Sequence, residues 1–198
     1  NSGSINMVSS HLQFSGQTSL PNVGATLFRP VADTIAFGIN NGQRVSVNQH
    51  GLLFGTDTAA NNALNDYEEG TYAGTFKSTG SLTLTQSAIG RYTKIGNVVT
   101  VHGQISWSSA GSGSGLLYVE LPFKASTNSR GGLAIGLVTG LRWSTDHMLF
   151  MVPEINSKNG YILETQPTAN SHTHLTPSNV QNVENKIFSY SGSYITDE

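Results

Sequence analysis

Residues 98–107 read VVTVHGQISW, and this stretch decides the fold class. Apolar and polar side chains alternate along it, and one parity holds Val99, Val101, Ile105 and Trp107. This period of two is typical of an antiparallel strand with one buried face. Similar short stretches, separated by turns, occupy residues 82–86, 90–95, 116–122, 131–143, 148–152, 160–164 and 186–190. We therefore expect an all-β head built as an antiparallel β-sandwich or jelly roll.

Two segments between these strands are predicted to be loops. Residues 108–115 read SSAGSGSG, a composition typical of a flexible connection. Residues 165–185 are polar and contain two prolines, Pro167 and Pro177, so we expect a long exposed loop there.

The N-terminal third predicts only short, weak strands, at residues 11–14, 25–29, 34–39, 44–48 and 52–54. It holds too few large apolar residues to close a core within one chain. Several chains that pool their apolar faces would solve this problem. We therefore interpret residues 1–65 as a β-rich stem and trimerisation region, and residues 66–198 as the head.

The composition excludes several classes of function. Charged residues make up 11% of the chain and the net charge is −2, so there is no basic stripe for nucleic acid. No stretch is apolar for long enough to predict membrane insertion. The absence of cysteine excludes disulfides and thiolate metal sites.

The start of the sequence gives two further expectations. Residues 1–10 have neither a basic region nor an apolar core, so we expect no signal peptide there. The sequence does not begin with Met, as is common for a fragment or a processed product.

Three motifs carry a resemblance to a known family. They are NDYEEGTY at residues 65–72, GRYTKIGNVVTV at 90–101 and LPF at 121–123. Together they resemble a β-domain that recurs in bacteriophage tail-fibre and virion appendage proteins. The likeness covers roughly residues 30–125, and the remainder fits a variable, receptor-facing half.

This resemblance implies a parallel homotrimer located in the virion, outside the host cell. Its N-terminal side would join other virion tail proteins. Its head would bind a host surface polysaccharide or an outer-membrane protein.

Exposed aromatic residues with polar neighbours are candidate sugar-binding residues, because a ring can stack on the apolar face of a pyranose. We single out Trp143 in a polar turn with Asp146 and His147. A second polar and aromatic loop holds Asn156, Lys158 and Tyr161. Trp107, by contrast, shares the apolar parity of its strand and is predicted to lie in the core.

His172 and His174 are a candidate metal pair. Residues two apart project to one side of an extended segment, so three chains would offer six imidazoles around the axis. The arrangement is similar to metal sites at the tips of some long phage fibres. The alternative is two solvated loop histidines, with no cofactor.

Glu68 and Glu69 are a poor catalytic pair, because adjacent strand residues point to opposite faces. The sequence also lacks a nucleophile elbow and a phosphate-binding loop. We therefore expect a non-enzymatic protein whose trimeric head binds a host receptor, most simply a glycan. The alternatives are a fibre or collar appendage without a ligand, and a polysaccharide-depolymerising tailspike fragment.

Overall fold

The structure is a computed structural model that describes residues 6–8, 11–13, 25–28, 31–39, 42–59, 63–64, 66–129, 131–165 and 171–198. The expected strand ends at Phe14 and Arg29 and residues 166–170 of the expected loop lie outside this set. The chain divides into two compact units, residues 1–66 and 67–198. The prediction that the protein is all-β is confirmed. Among the residues just given, there is no helix that could cross a membrane.

The first unit contains two antiparallel sheets. A hairpin forms one of them, and the other has the strand order β3-β4-β5-β6. The strands are β1 (Asn6–Val8), β2 (His11–Gln13), β3 (Ala25–Phe28), β4 (Ile35–Ile39), β5 (Gly42–Asn48) and β6 (Gly51–Phe54).

The second unit contains one large antiparallel sheet and a small one that pairs β9 with β12. The strands are β7 (Tyr67–Tyr72), β8 (Phe76–Ser78), β9 (Ser81–Thr83), β10 (Gln86–Ile95), β11 (Val98–Trp107), β12 (Ser112–Ser114), β13 (Leu117–Glu120), β14 (Gly132–Thr139), β15 (Met148–Pro153), β16 (Asn159–Thr165), β17 (His172–His174) and β18 (Ile187–Ile195).

The large sheet has ten strands in the order β7-β10-β11-β18-β14-β15-β16-β13-β8, with β17 paired to β16. The sheet curls, so that strands far apart in this order pack together. The ring of Phe76 on β8 lies 5.5 Å from that of Trp107 on β11 and 5.3 Å from that of Phe188 on β18. The inner face of the curl is the core.

Strand β11 has the buried parity that its sequence predicts. Val99, Val101 and Ile105 are fully buried, and Trp107 is buried among them. This strand pairs with β10 on one side and with β18 on the other. Side chains of opposite parity, including His102 and Gln104, lie on the outer face of the sheet.

Both predicted loops are wrong in part. Residues 112–114 of the Gly/Ser-rich segment form β12, which pairs with β9. In the segment 165–185, His172–His174 form β17 and Pro177–Asn179 form a short 3-10 helix. Leu175 and Val180 are buried in the core. Apolar residues spaced through a polar segment hold it against the sheet, and the average composition does not reveal them.

Candidate functional site

Four aromatic rings form a row along the outer face of β13, β16 and β17. Tyr118 lies opposite Tyr161 in the strand pairing, and their ring centroids are 5.9 Å apart. Tyr161 lies 4.9 Å from His174, and His174 lies 5.6 Å from His172. The contacts are edge-to-face, the geometry that aromatic pairs prefer.

A cavity of roughly 240 Å³ lies beside this row, and we call it the aromatic pocket. Strand β15 supplies one apolar wall because Phe150 is paired with Leu163 and Val152 with Tyr161. The full lining is Leu116, Phe150, Val152, Pro153, Glu154, Tyr161, Leu163, His172 and His174. The pocket therefore combines an apolar wall with a carboxylate, a phenol and two imidazoles.

The polar groups of the aromatic pocket are held in place by neighbours. Asn159 Nδ2 donates a hydrogen bond of 2.9 Å to Glu154 Oε2 and lies 3.5 Å from the Tyr161 hydroxyl. Burial is the main cause that raises the pKa of Tyr161 above its usual 10.0.

His174 is neutral in this setting. Burial lowers the pKa of His174 below its usual 6.5, and the nearby His172 lowers it further. The Nδ1 atom of His174 is buried and has no hydrogen-bond partner among the described residues. A buried N–H group without an acceptor would cost folding free energy, so we assign the proton to Nε2.

A second, more polar cavity of roughly 560 Å³ lies at the turn after β14, and we call it the polar pocket. Its lining is Arg142, Trp143, Ser144, Thr145, Glu164, Ser178 and Asn179. The buried carboxylate of Glu164 accepts hydrogen bonds from the Ser144 backbone N–H at 2.6 Å and from the Ser144 hydroxyl at 3.1 Å. His147 Nδ1 lies 3.4 Å from the same carboxylate. Glu164 thus fixes the conformation of the turn.

The predicted site residues separate into three groups. Tyr161, His172 and His174 meet at the aromatic pocket. Trp143 is about one-third exposed at the polar pocket, and its indole N–H donates to the carbonyl oxygen of His147 at 3.2 Å. Asp146 is exposed on the same turn, with a left-handed φ of 65°.

Asn156 and Lys158 line neither pocket. The Asn156 backbone N–H donates to the carbonyl oxygen of Ala125 at 2.8 Å. The Lys158 ammonium donates to the carbonyl oxygen of Pro122 at 2.7 Å. These contacts attach the loop between β15 and β16 to residues 122–125. Tyr161 lies on β16 rather than in that loop.

Sequence reasoning missed Phe150, Glu154 and Glu164. The register of the hairpin formed by β15 and β16 would have placed Phe150 near Tyr161, because Phe150 pairs with Leu163, which lies two residues from Tyr161 on the same face of β16. Nothing in the sequence indicates that Glu154 and Asn159 hold each other across the turn. Glu164 lies between Leu163 and Thr165 on β16. Its burial depends on the turn at Ser144, which lies twenty residues earlier in the chain.

A third cavity of roughly 370 Å³ lies on the outer face of β10, β11, β14 and β18, and we call it the arginine groove. Arg91 lies opposite His102, and His102 lies opposite Ser191. Gln104 and Ser189 line the groove beside them. This groove carries one permanent positive charge, and its lining also includes the exposed apolar side chain of Ile89.

The motif NDYEEGTY at residues 65–72 has a structural role in this fold. The Tyr92 hydroxyl donates to Glu68, and the Tyr67 hydroxyl donates to Glu69 at 2.8 Å. The buried Lys94 lies opposite Glu68, with its ammonium 5.8 Å from the centroid of the Phe123 ring. The three motifs of the family resemblance therefore meet at one edge of the sheet.

The described residues of a single chain do not form a metal site. Across the described ranges, no group of three or more His, Asp or Glu residues is arranged to hold an ion. His172 and His174 share a face as expected and bring two imidazoles together, but a complete ligand set would need other chains. The metal remains a prediction.

Comparisons with known proteins return no match. No family model, no curated protein and no solved structure is detectably similar to this chain.

Proposed function

We propose that this chain is a non-enzymatic module of a bacteriophage tail fibre, exposed on the virion, that works as a homotrimer and binds a host-surface glycan. Residues 1–65 are the stem, which trimerises and joins other tail proteins. Residues 66–198 are the head, whose curled sheet packs as a β-sandwich of the jelly-roll kind and presents loops to the host.

One face of the stem sheet carries this proposal. Directly paired residues share a face, so Leu27, Phe37, Val45 and Phe54 form one apolar row across the four strands. Ile35, Val47 and Leu52 form a second row beside it. Six large side chains on this face are 37–60% exposed, namely Leu27, Ile35, Phe37, Ile39, Val47 and Phe54.

The opposite face of the same sheet is buried. Ala36, Ser46 and Leu53 are paired across three strands, and each is at most 2% exposed. An antiparallel sheet in a monomer usually turns its polar face to water. Here the large apolar face is the one left open, as in chains that assemble.

Copies of the same chain are the occupants that we propose for this face. Three chains around an axis can each cover the apolar rows of a neighbour and leave no row exposed. The same arrangement protects the edge strands β3 and β6 from pairing with foreign strands.

The head supports receptor binding through its pockets. The aromatic pocket and the polar pocket both place an aromatic ring beside groups that hydrogen-bond. Each of these pockets is lined by one carboxylate, Glu154 or Glu164, among the residues that the structure describes. Glycoside hydrolysis needs two facing carboxylates, so neither pocket favours the tailspike alternative.

An appendage without a ligand is the second candidate function. The residues of the three family motifs favour it, because Glu68, Tyr92, Lys94 and Phe123 contact one another or neighbouring strands. Motif residues that serve to hold the sheet together give no information about a receptor.

Solution mass tests the proposed assembly. Light scattering of the dilute protein should give about three times the chain mass of 21.1 kDa. Phe37→Thr places a hydroxyl in the centre of the apolar row and should shift the mass toward the monomer. Val31→Thr is the matched control, because Val31 is exposed outside the strands.

A monomeric wild-type chain with a cooperative thermal transition would refute the homotrimer. A trimer that Phe37→Thr leaves intact would refute the apolar face as its interface.

A further inference from the structure

We propose that the aromatic pocket binds one uncharged pyranose unit of a glycan. This inference rests on the proposed function, since it names the ligand class of the receptor-binding head. The proposed ligand binds on the outer face of β15, β16 and β17 and not at the turn that carries Trp143.

The size of the pocket limits the ligand. Pockets for drug-sized ligands measure about 300–1,000 Å³. The aromatic pocket, at roughly 240 Å³, lies just below that range. It therefore accommodates one sugar ring, and the rest of a longer glycan would extend over the outer face of the sheet.

The lining has the two kinds of surface that a pyranose needs. Phe150, Val152 and Pro153 offer apolar contact to the C–H face of a sugar ring. Glu154, Tyr161 and the imidazoles offer hydrogen bonds to its hydroxyls. Since Asn159 fixes Glu154 and β16 fixes Tyr161, little side-chain freedom is lost on binding.

Charge selects against an acidic sugar. Neither Lys nor Arg is among the described residues that line the aromatic pocket. The carboxylate of Glu154 in its lining repels an anion. An acidic sugar would instead favour the arginine groove, where Arg91 carries a permanent positive charge.

The experiment compares neutral and acidic oligosaccharides on the full chain. Binding is measured on a panel that includes hexoses, N-acetylhexosamines and uronic-acid-containing glycans, and each hit is quantified by calorimetry. We expect neutral glycans to bind, and Glu154→Gln to weaken them by about tenfold or more, because a charge-assisted hydrogen bond is lost. His172→Ala, an exposed edge-strand substitution, should also weaken binding, by roughly threefold to tenfold.

The controls separate this inference from the proposed function. Trp143→Ala alters the polar pocket and Arg91→Gln alters the arginine groove, and neither should reduce binding of neutral glycans. Light scattering confirms that each variant keeps the mass of the wild type, so that loss of binding is not loss of assembly.

Three results would overturn the inference. If binding is lost in Trp143→Ala but kept in Glu154→Gln, the receptor site is the polar pocket and the proposed function stands. If only acidic glycans bind and Arg91→Gln abolishes their binding, the site is the arginine groove. If a trimeric chain binds no glycan of either class, the chain is an appendage without a saccharide receptor.

Discussion

Gly103 shows why a single missing side chain matters in the core of the head. A Cβ atom at this position would lie 2.2 Å from the Tyr190 ring, far inside van der Waals contact. The space lets Tyr190 lie across β11, where its hydroxyl is 2.9 Å from that of Tyr72. Gly103 interrupts the apolar parity of its strand for this reason.

We predict that Gly103→Ala destabilises the head by about 2 kcal/mol, since Tyr190 must move and its hydroxyl contact is lost. Urea unfolding should measure the loss. Gly132→Ala is the matched control, because a Cβ at this strand position meets nothing within 4 Å. The explanation is wrong if the two variants are equally stable.

The buried tyrosines also predict sensitivity to alkali. Burial is the largest cause that raises the pKa of Tyr190, from 10.0 to about 12, and burial likewise raises that of Tyr72. Between these pH values the unfolded chain loses a proton that the folded chain keeps. Stability is therefore fully present below pH 10 and falls as the pH rises toward 12.

The expected result is a lower urea midpoint at about pH 11 than at about pH 9. Tyr190→Phe should reduce this slope, although it also lowers stability overall. An identical slope in Tyr190→Phe and the wild type would exclude this phenol as the cause.

At the scale of elements, Trp107 connects β11 to the segment before β18. Its indole N–H donates to the carbonyl oxygen of Gln181 at 2.8 Å. The Gln181 backbone N–H donates to the carbonyl oxygen of Gly140 at 2.8 Å, and Val180 packs in the core beside it. These contacts order part of residues 165–185, a segment whose composition predicts a loop.

Trp107→Phe should release this connection. We expect a loss of about 1–3 kcal/mol from the unpaired carbonyl and the smaller ring. Hydrogen exchange at the Val180 and Gln181 amides should quicken more than exchange in β10. The same amides should be unaffected by Trp143→Phe, which changes the other tryptophan. Equal protection in both variants would count against the assigned role of Trp107.

The element scale also shows how far the sequence could predict this structure. Strand β11 was predicted well because alternation reports a sheet with one buried face. Strand β10 was predicted only from residue 90, but it begins at Gln86, and the strand predicted at residues 82–86 ends at Thr83. Strands β12 and β17 were missed because three-residue edge strands carry no alternation. Strand β12 pairs with β9, which is distant in the chain, and β17 pairs with the preceding strand β16. In both cases pairing, which composition does not report, decides that the segment is a strand.

The candidate site was predictable only in part, for the same reason. Tyr161, His172 and His174 were recognised by residue type, but their meeting depends on the pairing of β17 with β16. Glu154 joins them through Asn159, a contact between polar residues that no periodicity records.

At the scale of the whole molecule, the two units expose different kinds of surface. The stem unit leaves a sheet face of Leu, Ile, Val and Phe open. The head unit buries its core inside a curled sheet. On its outer face it has pockets lined by both apolar and polar side chains. In our proposal the first surface is covered by copies of the chain and the second by the host.

The position of β18 has a consequence for the making of the protein. The last strand in sequence is central in the sheet, between β11 and β14, and Ile195 pairs with Val98. When synthesis has reached only β17, the chain still lacks the strand that joins β11 to β14. The sheet of the head is therefore incomplete until β18 has been synthesised, and a variant truncated before β18 should misfold rather than form a smaller sheet.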